Sequence, residues 1–118
     1  MLEIKTKSQD SVTIVEIEGE VDLYSSPNLR KVLLDLTKAQ NKAILVDLLK
    51  VKYMDSSGVA TLVEALQQAG KYGGKLKLAN LRDAVKDVFE LSRLDKVFDI
   101  YSSVEEAKKT FKPHGTGQ

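Results

Sequence analysis

The run Met54-Asp55-Ser56-Ser57-Gly58 holds the residues of this chain best suited to chemistry. It is a polar turn between an apolar run and a helical pattern, with Val59, Leu62, Val63, Leu66 and Ala69 on one face. Ser57 falls at about the first helical residue. A phosphate on its hydroxyl adds about −1.5 to −2 charges and strong acceptor oxygens. The free N–H groups and dipole of a helix N-terminus hold such a dianion without unfolding the helix. Gly58 adds no side-chain bulk, which would leave the hydroxyl open to a kinase. The plainer reading of Asp55, Ser56 and Ser57 is helix capping, because Asp and Ser are favoured caps. The two readings are compatible if Asp55 or Ser56 caps while Ser57 faces outward.

A second stretch, Gly19-Glu20-Val21-Asp22, reads as a loop. If the strand before it lies beside the strand before Asp55, then Asp22 and Ser57 share one end of a sheet. Asp22 would then accept a hydrogen bond from the Ser57 hydroxyl or repel its phosphate. Spacing alone favours a simple turn aspartate.

Other chemistry lacks its parts. There is one histidine, His114, and no cysteine. Zinc sites and Ser/His or Cys/His catalysis therefore lose their usual ligands and bases, and neither a metal nor a cofactor is expected. A nucleophilic Ser57 would have no base better than Asp22 or Asp55, and Asp55 stands where a nucleophile elbow needs glycine. The glycines from Gly70 to Gly74 lack phosphate-loop spacing and read as a helix stop. Lys108-Lys109 reads as a solvated face, and Tyr24, Tyr53, Tyr72 and Tyr101 as residues of the core's edge.

The chain that must position these residues has 118 residues, enough for one domain, with 42% hydrophobic and 30% charged residues. Its 18 basic and 17 acidic residues leave a net charge of +1 without a basic stripe, so no nucleic-acid partner is expected. Its apolar runs fall far short of the roughly 20 residues of a membrane span. The N-terminus alternates through Leu2, Ile4 and Thr6 like a strand rather than a signal peptide. Absence of cysteine suits a reducing compartment, hence a cytoplasmic location.

Hydrophobic periodicity predicts the order ββαβαβαβα. Two short strands, ending at Lys7 and Glu18, form a hairpin. Ser26 caps a helix with Pro27 in its first position, ending near Ala39 to Asn41. Ala43 to Leu48 is a strand buried on both faces. The helix after Asp55 leads to a strand from Lys75 to Asn80, then to a helix from Asp83 to Leu91 with Val85, Val88, Phe89 and Leu91 inward. Val97 to Tyr101 is the last strand, and Ser103 with Glu106 forms a capping box for the last helix. Residues 112–118 read as a flexible C-terminal tail. Such alternation implies an α/β class with a mixed, mostly parallel sheet.

Three stretches resemble the STAS-domain anti-sigma factor antagonists, over about Leu2 to Phe111. They are Gly19 to Asp22; Val46 to Leu48 with Met54 to Val59; and Gly73 to Asn80 with Val88 to Phe98. The resemblance implies a single STAS-like domain over residues 1–111, with helices mainly on one face of the sheet. It implies that Ser57 is the phosphorylated position and that Asp22 sits beside it, with Asp55, Ser56 and Gly58 around them. It implies a non-enzymatic protein whose partner is an anti-sigma factor that is also a serine kinase. Unphosphorylated antagonist binds that kinase and frees the sigma factor; phosphorylation separates the pair; a PP2C-type phosphatase resets the cycle. Val59 where leucine is usual, and Leu49-Lys50 in place of smaller residues, depart from the family pattern. The stand-alone length favours this reading over a STAS module that senses or transports nucleotides or lipids.

Overall fold

The computed structural model describes residues 2–111. The strands are β1 (Leu2–Gln9), β2 (Val12–Val21), β3 (Ala43–Met54), β4 (Lys75–Ala79) and β5 (Ile100–Tyr101). The helices are α1 (Ser26–Lys38), α2 (Ser56–Gly70), α3 (Asp83–Leu91) and α4 (Val104–Lys109). The order is the expected ββαβαβαβα. The tail expected from residue 112 onward lies outside the described residues.

The five strands lie side by side in sequence order. β1 and β2 are antiparallel, and β2 to β5 are parallel. This order dictates where the helices go. Each crossover from β2 to β5 steps the same way along the sheet, and a right-handed crossover then places every connecting helix on the same face. Accordingly Leu29 and Leu33 of α1, Leu62 and Ala65 of α2, and Val85 and Phe89 of α3 share one core with Val15, Ile17, Val46, Leu48 and Leu78 of the sheet. Burying each large side chain there contributes roughly 1.5–3 kcal/mol. Arg30 and Glu64 join α1 to α2 at the surface by a two-pronged ion pair of 2.7 and 2.8 Å.

α4 follows the last strand, so no crossover constrains it. It packs on the opposite face, where Val104, Ala107 and Phe111 meet Val12, Ile14, Leu45 and Ala79. Lys77 ties it down. The Lys77 ammonium donates to Thr110 Oγ1 at 2.8 Å and to the Thr110 carbonyl at 3.3 Å, and it lies 4.8 Å from the Phe111 ring centroid. A buried cation needs such partners, and the carbonyl end of a helix supplies one. Ser103 caps α4 through the Glu106 N–H, but the Glu106 carboxylate takes its bond from Ser102. The capping box is therefore half formed.

β3 departs most from expectation. It was expected to end at Leu48 but runs to Met54. Its register with β2 slips by one residue between Glu16 and Glu18 and again between Gly19 and Glu20. Each bulge turns two successive residues outward, Leu49-Lys50 and Lys52-Tyr53, while Leu48, Val51 and Met54 stay buried. A two-residue period cannot reveal such a strand. β2 likewise continues to Val21, so Gly19 to Val21 is strand rather than loop.

β5 is shorter than expected. Leu94–Lys96 forms a 3-10 turn, and Phe98 plugs the core edge-on against Phe89 with centroids 5.6 Å apart. Core burial of Phe98 wins over strand pairing there. Leu91, expected inside, is 86% exposed because it lies on the outer face of α3's last turn.

The β1–β2 turn makes a test of backbone conformation. Asp10 and Ser11 have φ of 53° and 67°, a two-residue turn with both residues left-handed. Glycine favours the second position of such a turn. Ser11→Gly should raise stability by about 1 kcal/mol, read as a higher urea midpoint; a lower midpoint would contradict the turn assignment.

Candidate functional site

β2 and β3 end level with each other, since Val21 pairs with Met54. An aspartate follows each strand, so Asp22 and Asp55 leave the sheet side by side at the C-terminal end of its parallel strands. Ligands and partners of open α/β sheets bind at that end. The Asp55 N–H donates to the Val21 carbonyl at 3.0 Å, which stitches the two strand ends together.

Asp55 is the N-cap of α2, with extended backbone. Its Oδ1 accepts the Ser57 N–H at 2.9 Å and the Ser57 hydroxyl at 2.5 Å. Ser56 is the first residue of the helix and is exposed; Ser57 is the second and is half-buried. The Ser57 hydroxyl holds the Asp55 carboxyl below its ordinary value, helped by the N–H groups of Ser57, Gly58 and Leu23 and opposed by burial.

Asp22 does something else. Its Oδ1 accepts the N–H groups of Tyr24 at 3.0 Å and Ser25 at 2.9 Å, folding residues 22–25 into a tight loop. The hydroxyl of Ser25 closes the loop, accepting the Asp22 N–H and donating to the Glu20 carbonyl. The Ser57 hydroxyl thus bonds Asp55, not Asp22. Ser25, not Ser26, occupies the N-cap of α1, and its side chain serves the loop instead of capping.

Gly58 also differs from expectation. A Cβ there would stand 2.7 Å from Val21 Cγ1 and 2.8 Å from Met54 Cγ. Its bareness lets α2 press on the two strand ends. Spacing alone could not show this, because it depends on which strand ends meet.

The loop built by Asp22 presents Leu23 and Tyr24, 67% and 89% exposed, and Tyr53 next to Met54 is 49% exposed. Tyr24 and Tyr53 therefore do not line the core, whereas Tyr72 anchors on the Asn41 carbonyl at 2.7 Å. Two apolar residues between Asp22 and Ser25 were the available signal for this rim. Among the described residues no cluster of three or more acidic or histidine side chains could hold a metal ion. None of the described helices is long and apolar enough to cross a membrane.

Fold and site define a mixed α/β domain that displays a serine-bearing helix start at the C-terminal ends of its parallel strands. Residues 3–107 match the model of the STAS domain, and the chain belongs to that family. It is 34% identical over 104 residues to the anti-sigma-B factor antagonist of Bacillus subtilis (strain 168), covering 88% of this chain and 94% of that one. Its fold superposes with a TM-score of 0.89 on an anti-sigma factor antagonist from Mycobacterium paratuberculosis, 23% identical and covering 96% of each chain. It superposes with a TM-score of 0.74 on the Bacillus cell fate determinant SpoIIAA in its phosphorylated form, 19% identical and covering 93% of this chain and all of that one.

Two outcomes follow for the cap. Asp55→Ala should cost about 1 kcal/mol of stability at neutral pH, while Asp55→Asn, an equally good cap, should cost much less. A carboxyl whose pKa is lowered by folding contributes stability above its unfolded value, and that stability is lost as pH falls through the folded value. Urea midpoints of the wild type should therefore fall below its ordinary 3.8 more steeply than those of Asp55→Asn; parallel acid limbs would remove Asp55 from this role. Gly58→Ala should destabilise by about 1–3 kcal/mol, despite alanine's better helix propensity, and Val21→Ala in the same chain should recover part of the loss.

Proposed function

We propose that this chain is an anti-sigma factor antagonist switched by phosphorylation of Ser57. In its unphosphorylated form it binds an anti-sigma factor that is also a serine kinase, and the sigma factor is freed. The kinase phosphorylates Ser57 and the complex separates; a PP2C-type phosphatase restores the hydroxyl. In this reading the chain is a cytoplasmic, non-enzymatic regulator. Its working surface is Ser57 with Asp22, Asp55 and Ser56, seated on buried Gly58 and carried by a domain spanning residues 1–111.

The observation that carries the proposal is the hydroxyl of half-buried Ser57, fixed at the second position of α2 by Asp55. It belongs to a chain 34% identical to a protein named for antagonising an anti-sigma factor. The same fold also exists in a phosphorylated neighbour.

The electrostatics explain how one ester reverses binding. Asp55 already occupies the helix N–H groups that a phosphate on Ser57 would seek. A phosphate brings about −1.5 to −2 charges against that carboxylate. Either it displaces Asp55 from the cap, or it projects into the partner. Asp22, at the end of the neighbouring strand, adds a further negative charge to the rim. A partner surface made for a hydroxyl must then desolvate a dianion without a matching cation. Since about 1.4 kcal/mol is tenfold in affinity, this suffices for release.

Ser57→Ala should bind the anti-sigma factor of the source organism as tightly as the unphosphorylated wild type and should not incorporate phosphate from ATP. Ser57→Glu should bind at least roughly tenfold more weakly, measured by titration calorimetry. Equal affinities for the two variants, or phosphate mapped to another residue of the wild type, would sink the proposal.

A further inference from the structure

Among the described residues, β1 carries the one long open edge of the sheet. It pairs with β2 alone, at the end of the strand order. The two-residue turn at Asp10-Ser11 makes Gln9 and Val12 a hydrogen-bonded pair. In an antiparallel ladder such pairs alternate, so Lys7, Lys5 and Glu3 exchange bonds with β2. The N–H and C=O groups of Leu2, Ile4, Thr6 and Ser8 therefore point outward, an unfilled ladder.

The side chains along this edge show what would fill it. Leu2 and Ile4 lean on the main core and stay half-exposed. Glu3 and Lys5 point to the other face and are exposed. Glu3 lies directly opposite Glu18, a like-charge pair, and Lys5 lies opposite Glu16, which is already taken by Lys7 at 3.3 Å. Among the described residues neither Glu3 nor Lys5 has an ion-pair partner.

Lysines on an edge ordinarily prevent edge-to-edge pairing. Here the order of charges admits one register. We infer that β1 pairs antiparallel with β1 of a second copy of this chain, with Ile4 facing Ile4 across the two-fold axis. Leu2, Ile4 and Thr6 of each copy then exchange backbone bonds. Glu3 of each copy meets Lys5 of the other, twice over. Shifting the register by two residues, to Lys5 against Lys5, sets two like charges opposite each other, which disfavours it. The two five-stranded sheets become one continuous sheet, and the two-fold axis points the Ser57 ends of the two copies in opposite directions.

So short a ladder falls in the small, weak class of interfaces. Sedimentation equilibrium on the full chain, from roughly 10 µM to 1 mM, should show a monomer–dimer equilibrium that weakens with salt, as exposed ion pairs do. Glu3→Lys alone and Lys5→Glu alone should each weaken it at least tenfold. The doubly substituted Glu3→Lys/Lys5→Glu chain should restore it. An equimolar mixture of the two single variants should also associate, since each then supplies the charge the other lacks. Circular dichroism of each variant checks that it is folded. A wild type that stays monomeric at every concentration would overturn the inference. So would single variants that associate like the wild type, or charge swaps that restore nothing.

Discussion

The pairing of Val21 with Met54 is the contact from which the rest of the site hangs. It brings two aspartates off neighbouring parallel strands at one level. It also sets the floor on which α2 begins, because Gly58 rests on those same two side chains. A one-residue slip of β3 would turn Met54 outward and swing Asp55 away from the Ser57 N–H. The two bulges of β3 exist within this constraint: they absorb two extra residues so that the strand still ends with Met54 inward and Asp55 at the helix start.

From that contact the roles of the polar residues separate cleanly. Asp22 and Asp55 look alike in sequence, each following an apolar strand. Asp22 spends its carboxylate on its own loop, and that loop carries Leu23 and Tyr24 into solvent. Asp55 spends its carboxylate on the helix start and on the Ser57 hydroxyl. Leu23 links the two, since its N–H also helps hold Asp55 ionised. The apolar rim and the serine therefore share one carboxylate, and a new charge at Ser57 acts on both.

The parts of this architecture that depend on local pattern were legible in the sequence. α3 is found at its expected bounds, Asp83 to Leu91, because Val85 and Phe89 recur at helical spacing. The Asp-Ser-Ser-Gly start of α2 was legible because its capping chemistry involves residues two positions apart. What escaped was long-range. The reach of β3 through Lys50 and Lys52 looks like loop until bulges pair it with β2. Phe98 looks like strand until Phe89 is placed beside it. The packing role of Gly58 shows only once Val21 is known to lie under it. The position of Asp22 beside Asp55 required the strand order, which periodicity does not encode; its turn role was already the better reading of spacing alone.

The distribution of rigidity argues for a surface that changes chemically rather than structurally. Val21, Met54, Val59 and Leu62 beneath the site are all buried, so the helix start has no slack to move as a unit. The elements above them are different: exposed Ser56, and half-buried Ser57 and exposed Tyr24, which hydrogen bonds to carboxylates hold in place. A bond of that kind contributes about 1.5–3 kcal/mol at most, comparable to what one added phosphate can oppose. The core, by contrast, rests on many side chains at once and is untouched by any charge placed at residue 57. A modification there is thus confined by the packing below it: it can rearrange a carboxylate and a loop, and it cannot unfold the domain that displays them.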